Sequence, residues 1–256
     1  MIIAQISDTH ILARSTHCPA GEKRAEHLRR CVADINRQRP DIVVHTGDIV
    51  QDGLLEEYAH VREIVAPLTM PLFFIPGNRD RRDTLRAAFS GHTYFPANDE
   101  FLHYTVESLD VRLVALDSIA AGEETGDSKG TLCPRRLTWL DDTLSQTPDR
   151  QTILLIHQPP FDVGNHYVDG YRHAEEAAHL ESLVRRHPQV VRLLCGHVHR
   201  SIQVPWADTV ASITPSVAVD VRKGISGSLA EDTPVYTLHA MSVDAGMISY
   251  SRAVTG

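Results

Sequence analysis

The segment Leu72-Phe73-Phe74-Ile75-Pro76-Gly77-Asn78-Arg79-Asp80 decides the fold. Its four consecutive apolar residues read as a buried strand, and Pro76-Gly77 breaks that strand into a sharp loop. Asn78 is thereby presented at the C-terminal tip. Four other segments end in the same way. Residues 2–6 run into Ser7-Asp8-Thr9-His10, and residues 42–44 run into Gly47-Asp48. Residues 153–156 precede His157-Gln158-Pro159-Pro160, and residues 190–194 precede Cys195-Gly196-His197-Val198-His199. Each aliphatic strand delivers a metal-ligand residue type at its end.

Working outward, residues 1–7 are the first strand and 13–21 a loop. Leu28, Val32 and Ile35 give helical spacing over 25–38, and Pro40 closes that helix. Residues 41–46 are the second strand. Leu54, Tyr58, Val61 and Val65 mark a second helix, stopped by Pro67, and 72–75 is the third strand. This alternation predicts parallel strands with right-handed crossovers. Ligands of such sheets sit outside the carboxyl ends of the strands, where the candidate residues fall. Further along, 84–89 is a short helix, 103–107 and 112–116 a hairpin, and 120–130 a mobile surface loop. Leu137, Leu140 and Leu144 mark a helix, 152–156 a strand, 161–171 a loop and 175–186 a helix. After His199 the helices stop. Residues 209–213, 235–239 and 247–251 are expected to form a second, largely antiparallel sheet packed on the first. With no repeat and no linker, residues 1–256 are expected to form a single domain.

Composition narrows the function. The chain has 256 residues, 42% hydrophobic and 23% charged, as in ordinary globular proteins. A net charge of −8 offers no basic stripe, which argues against a nucleic-acid duplex as partner. No run of eighteen apolar residues exists, so no membrane span is expected. The chain starts directly on a strand and its four cysteines have no CxxC spacing. Both features point to a reducing compartment, the cytoplasm. Most of the fifteen histidines are expected to be surface residues or satisfied polar groups.

Asp8, His10, Asp48, Asn78, His157, His197 and His199 form the candidate ligand set. Carboxylates mixed with imidazoles suit Mn, Fe, Co or Zn, and no cysteine adds a soft sulfur. Seven ligands exceed the needs of one tetrahedral ion. Two metals sharing one bridging carboxylate fit the number, at a separation of about 3.5–4 Å.

Taken in order, these motifs resemble the calcineurin-like metallophosphoesterases, whose pattern is D-x-H, G-D, G-N-H-[D/E], H and G-H-x-H. It stands here as Asp8-Thr9-His10, Gly47-Asp48, Gly77-Asn78-Arg79-Asp80, His157 and Gly196-His197-Val198-His199. His157-Gln158-Pro159-Pro160 and Gly164-Asn165 resemble the bacterial branch of class III cyclic-nucleotide phosphodiesterases and glycerophosphodiesterases. The resemblance implies an α/β fold, a four-layer α/β/β/α sandwich of two mixed sheets flanked by helices. It also implies two divalent or trivalent transition-metal ions. Asp8, His10, Asp48 and His199 would hold the first, and Asp48, Asn78, His157 and His197 the second, with Asp48 bridging. A bridging hydroxide would attack a small phosphodiester in line. A homo-oligomer, dimer or higher, is expected.

Arg79 departs from the pattern, which places histidine there. An arginine is no ordinary general acid, yet it holds a phosphoryl oxygen and stabilises developing charge. Asp48, Asn78 and Arg79 are therefore the expected catalytic residues. The alternative for Arg79 is a solvent-facing or ion-paired side chain. Asn165 and His166, in a loop expected to overhang the site, join Arg79 as substrate-binding candidates. Competing readings are a phosphomonoesterase or nuclease of the same fold, or a non-catalytic metal-binding scaffold.

Overall fold

A computed structural model of the chain describes residues 1–97, 99–120, 128–164, 171, 173–223, 232–242 and 246–255. The first half alternates strand and helix: β1 (Ile2–Ile6), α1 (Pro19–Gln38), β2 (Ile42–His45), α2 (Leu55–Val65), β3 (Leu72–Phe74) and α3 (Arg82–Ala88). β1, β2 and β3 pair in parallel, as expected. α1 begins six residues earlier than its apolar spacing indicates. Cys18 caps it, with Sγ accepting from Gly21 N–H, and Pro19 opens the first turn. The Cys-Pro-x-Gly run that reads as a loop is a helix start, because proline lacks only an N–H that this position leaves unpaired. In the first turn of α2, Glu57 reaches back to cap it, its Oε2 accepting from Asp52 N–H and Leu54 N–H at 3.0 Å each.

The second half comprises β4 (Tyr104–Val106), β5 (Arg112–Leu116), α4 (Pro134–Ser145), β6 (Thr152–Ile156), α5 (Ala174–Arg185), β7 (Val190–Cys195), β8 (Ile202–Trp206), β9 (Thr209–Ile213), β10 (Val235–Ser242) and β11 (Gly246–Ala253). The strands divide into two mixed sheets, ordered β11-β10-β1-β2-β3 and β4-β5-β6-β7-β9-β8. This corrects the expected partition. The second sheet begins at β4, before the His197–His199 loop, and its central strands β5, β6, β7 and β9 are parallel. β10 and β11 return to the first sheet, β10 antiparallel to β1 and β11 antiparallel to β10 at the edge. The apolar runs Ile153–Ile156 in β6 and Leu193–Cys195 in β7 suit a parallel sheet buried on both faces. β8 went unread because Pro205 interrupts it, which an edge strand tolerates. Its turn to β9 is Ala207-Asp208, both residues with positive φ, rather than the usual Asn-Gly.

Strand alternation sets the layers. Leu113, Ala115, Ile153, Leu155 and Leu194 face the first sheet, sharing a core with Ile3, Val44, Phe74, and Leu28 and Val32 of α1. Their neighbours Val114, Leu116, Leu154, Ile156 and Leu193 face the other way, against Leu140 and Leu144 of α4 and Leu180 and Leu183 of α5. The order is helices, sheet, sheet, helices. A polar seam crosses between the sheets. Gln5 Nε2 donates to Cys195 O at 2.9 Å and Thr46 Oγ1 at 3.0 Å, while Gln5 Oε1 lies 2.9 Å from His239 Nε2. Six histidines outside the motifs, His27, His45, His60, His103, His187 and His239, are buried rather than at the surface, and each has a hydrogen-bond partner. Among the described residues no helix is long and apolar enough to cross a membrane.

Candidate metal centre

The tips of β1, β2 and β3 from one sheet meet those of β6 and β7 from the other. Donor atoms of Asp8, His10, Asp48 and His199 all lie within 4.8 Å of one another, and so do those of Asp48, His157 and His197. Asp48 belongs to both groups. Asn78 joins the second, with Oδ1 3.2 Å from His157 Nε2. All seven residues expected as ligands are thus brought together.

Their loops turn by an uncommon backbone. Asp8, His10, Asp48, His197 and His199 have φ of 52°, 45°, 51°, 73° and 59°, in the left-handed region. Asp and His are among the few residues besides Gly and Asn found there, at a cost on the order of 1 kcal/mol each. Backbone bonds between loops hold them, with Asp8 N–H donating to Gly47 O at 2.9 Å and His10 N–H to Asp48 O at 3.1 Å. Two glycines let the loops approach. A Cβ on Gly77 would collide with Asp48, and one on Gly196 with Ser7 Oγ and Asp8 Oδ2.

The donor set fits a cation. His157 Nδ1 donates to Thr46 O at 2.6 Å, so the neutral ring presents its Nε2 lone pair. That lone pair faces Asp48 Oδ1 at 3.5 Å. His199 Nδ1 likewise donates to Val221 O at 3.0 Å, and its Nε2 faces Asp8 Oδ1 at 3.2 Å. Lone pairs opposed at this range, and buried, repel unless a proton or metal ion lies between them. The same Nδ1 anchors that fix the tautomer are those that orient ligand histidines.

Charge behaves accordingly. Burial alone would raise the carboxyl of Asp8, but the imidazoles of His199 and His157 hold it at about 2. Asp48 is driven below its usual range in the same way, chiefly by His157. Burial would lower His157, yet the Asp48 and Asp8 carboxylates push it up to about 9. At His10 and His197 burial outweighs the pull of the same two carboxylates and keeps the rings neutral, at about 4 and about 3. Without a metal, a proton on His157 supplies the missing positive charge.

Asp80 buttresses the Asn78 loop. It accepts from Gly77 N–H at 2.8 Å, Ile49 N–H at 3.2 Å and Tyr58 O–H at 2.8 Å. Burial, with Asp48 nearby, raises its carboxyl to about 7. Arg79 N–H donates to Asp48 Oδ1 at 2.8 Å, which fixes the base of the side chain beside both groups. Among the described residues, the Arg79 guanidinium makes no hydrogen bond or ion pair. Its ion-paired alternative is therefore not what the structure contains. Asn165 and His166 lie outside the described residues.

The calcineurin-like phosphoesterase pattern matches residues 1–201, a span that carries all seven donors. The chain belongs to the calcineurin-like phosphoesterase family. Within curated proteins it is 33% identical over 260 residues to a protein of Arcobacter nitrofigilis named "Probable glycerophosphodiester phosphodiesterase", covering 99% of this chain and 93% of that one. It is 29% identical to the 3′,5′-cyclic adenosine monophosphate phosphodiesterase of Escherichia coli K12, over 86% of this chain and 77% of that one. A dimetal phosphatase of Danio rerio superimposes with a TM-score of 0.78 at 15% identity, covering 100% of this chain and 96% of that one. That likeness shows the phosphoesterase fold.

Sequence reading missed the groups that hold these donors. Thr46 anchors His157 through its carbonyl. Ser216 Oγ donates to Asp8 O at 2.7 Å. Only Asp80 carried a signal, as the acidic member of the third motif.

Proposed function

We propose that the chain is a binuclear metal-dependent phosphodiesterase acting on a small phosphodiester, either a glycerophosphodiester or a cyclic nucleotide. The observation that carries this reading is Asp48, whose two oxygens face different donor groups. Oδ2 lies 3.7 Å from His10 Nε2, and Oδ1 lies 3.5 Å from His157 Nε2. In this reading Asp8, His10, Asp48 and His199 hold one ion and Asp48, Asn78, His157 and His197 the other. Divalent Mn, Fe, Co or Zn suits oxygen and imidazole donors without sulfur. Bound there, the pair supplies positive charge for the phosphoryl oxygens and a water acidified to near neutral pH.

The chain's own residues divide the remaining work. Asp48 stays anionic across the physiological range and keeps the two groups at fixed separation. The carbonyls of Thr46 and Val221 keep His157 and His199 in the donor tautomer. Arg79 holds a non-bridging oxygen of the phosphodiester and stabilises charge as the leaving group departs. It has no proton to give at neutral pH, so an alkoxide must leave without one from this position. The names of the relatives support a diester rather than a monoester. The four free cysteines support a reducing compartment.

The test is hydrolysis of bis-p-nitrophenyl phosphate and p-nitrophenyl phosphate, with Mn²⁺ and with chelator. The reading requires Mn²⁺-dependent turnover, faster on the diester and abolished by chelation. Faster turnover of the monoester would move the assignment to a phosphomonoesterase. No turnover of either, with metal bound, would leave a scaffold.

A further inference from the structure

Two residues that no motif contains link the halves of the first donor group. Arg24, in the second turn of α1, has a side chain only 11% exposed. Its Nε and Nη2 grip both oxygens of Asp220, at 2.7 to 3.1 Å. Its Nη1 donates to His10 O at 3.2 Å and to Gln51 Oε1 at 3.0 Å. One guanidinium thus touches the loop after β1, the loop after β2 and the segment 216–223. That segment wraps the same donor group. Val217 N–H donates to Ser7 O, Ser216 Oγ to Asp8 O, and Lys223 N–H to His199 O. Val221 O receives His199 Nδ1–H.

We propose that Arg24 and Asp220 are a positioning pair for the first donor group, setting how tightly Asp8, His10 and His199 hold a divalent cation. His10 and His199 have left-handed backbones that relax if their carbonyl partners are lost. Arg24 is a partner of the His10 carbonyl, and through Asp220 it holds the turn that orients His199. None of its contacts reaches Asn78, His157 or His197. A planar fork serving four acceptors is a task that lysine cannot duplicate. The proposal rests on the metal-centre reading above.

The experiment is a calorimetric Mn²⁺ titration of the apo protein, with bound metal counted by elemental analysis. His10→Ala and His157→Ala identify the two binding steps. In Arg24→Ala the first step should weaken about 10–100-fold, the range for loss of an outer hydrogen-bond partner of a ligand, while the second stays within about threefold. Arg24→Lys should fall between wild type and Arg24→Ala, and Asp220→Asn should weaken the same step less. The two milder variants carry the test if Arg24→Ala does not fold. A role in stability alone would lower the melting temperature and weaken both steps equally, and that outcome overturns the proposal. So does an unchanged first step in all three variants. A wild type that binds no Mn²⁺ removes the metal reading and the proposal with it, whereas a fully loaded wild type beside unaltered variants removes the proposal alone.

Discussion

The two donor groups share Asp48 but are not equivalent. The first has two carboxylates and two imidazoles, and segment 216–223 wraps it. The second also has two imidazoles, His157 and His197, but shares Asp48 and adds only the neutral amide of Asn78 in place of a second carboxylate. Charge favours the first group for a cation. The shared carboxylate makes each group depend on the other. On the proposed binuclear reading, unequal affinity is therefore expected, with the second ion the one that exchanges.

Removing the shared element should have the largest effect. Asp48→Ala is expected to lower kcat/KM for bis-p-nitrophenyl phosphate by roughly 10³-fold or more, since charge is withdrawn from both ions. It should also empty both subsites. A variant that retains two metals by elemental analysis would remove Asp48 from the bridge.

Next in size is Arg79, which serves neither group but stands beside both. Arg79→Ala should cost roughly 10²-fold in kcat/KM, the scale of losing one charge-stabilising donor. Arg79→His should restore activity selectively on alkyl diesters, because histidine has a proton to give. A diester series of graded leaving-group pKa checks this. Parallel slopes for wild type and Arg79→His would mean that position 79 takes no part in departure.

A subtler change acts on the asymmetry itself. Asp8→Asn takes one carboxylate from the first group and makes it resemble the second. Its affinity should fall by about tenfold or more, bringing the two calorimetric steps together. Two steps as far apart as in wild type would show that carboxylate number does not set the order.

How much of this was legible in the sequence follows from how local each feature is. A strand and its terminal ligand are neighbours in the chain, so β1, β2, β3, β6 and β7 each announced one or two donors. The helical spacing in α1 and α2 was equally local. The partition of strands between sheets was not, since β10 pairs with β1 across some 230 residues and no pattern in either strand names its partner. Arg24 and Asp220 meet over a similar distance as two ordinary surface-type charges. The left-handed φ values at Asp8 and His199 arise from loops meeting other loops. Cys18-Pro19 gave a turn signal that a capped helix shares.

The smallest expected effect concerns the seam that holds the two groups in register. Burial, with Arg192 adding to it, keeps His239 neutral, at about 3. Its pKa is depressed on folding, so its contribution is complete above the unfolded value of about 6.5 and is lost as pH falls towards 3. His239→Gln should flatten the decline of Tm between pH 7 and pH 5 by roughly a few degrees. An identical decline in wild type and variant would assign the acid sensitivity elsewhere.

The central claim is that Asp48 joins two ions. Anomalous scattering from crystals grown with Mn²⁺ tests it most directly. The account predicts two peaks about 3.5–4 Å apart, with one oxygen of Asp48 directed at each. A single peak, or two peaks with Asp48 bound to only one, would contradict it.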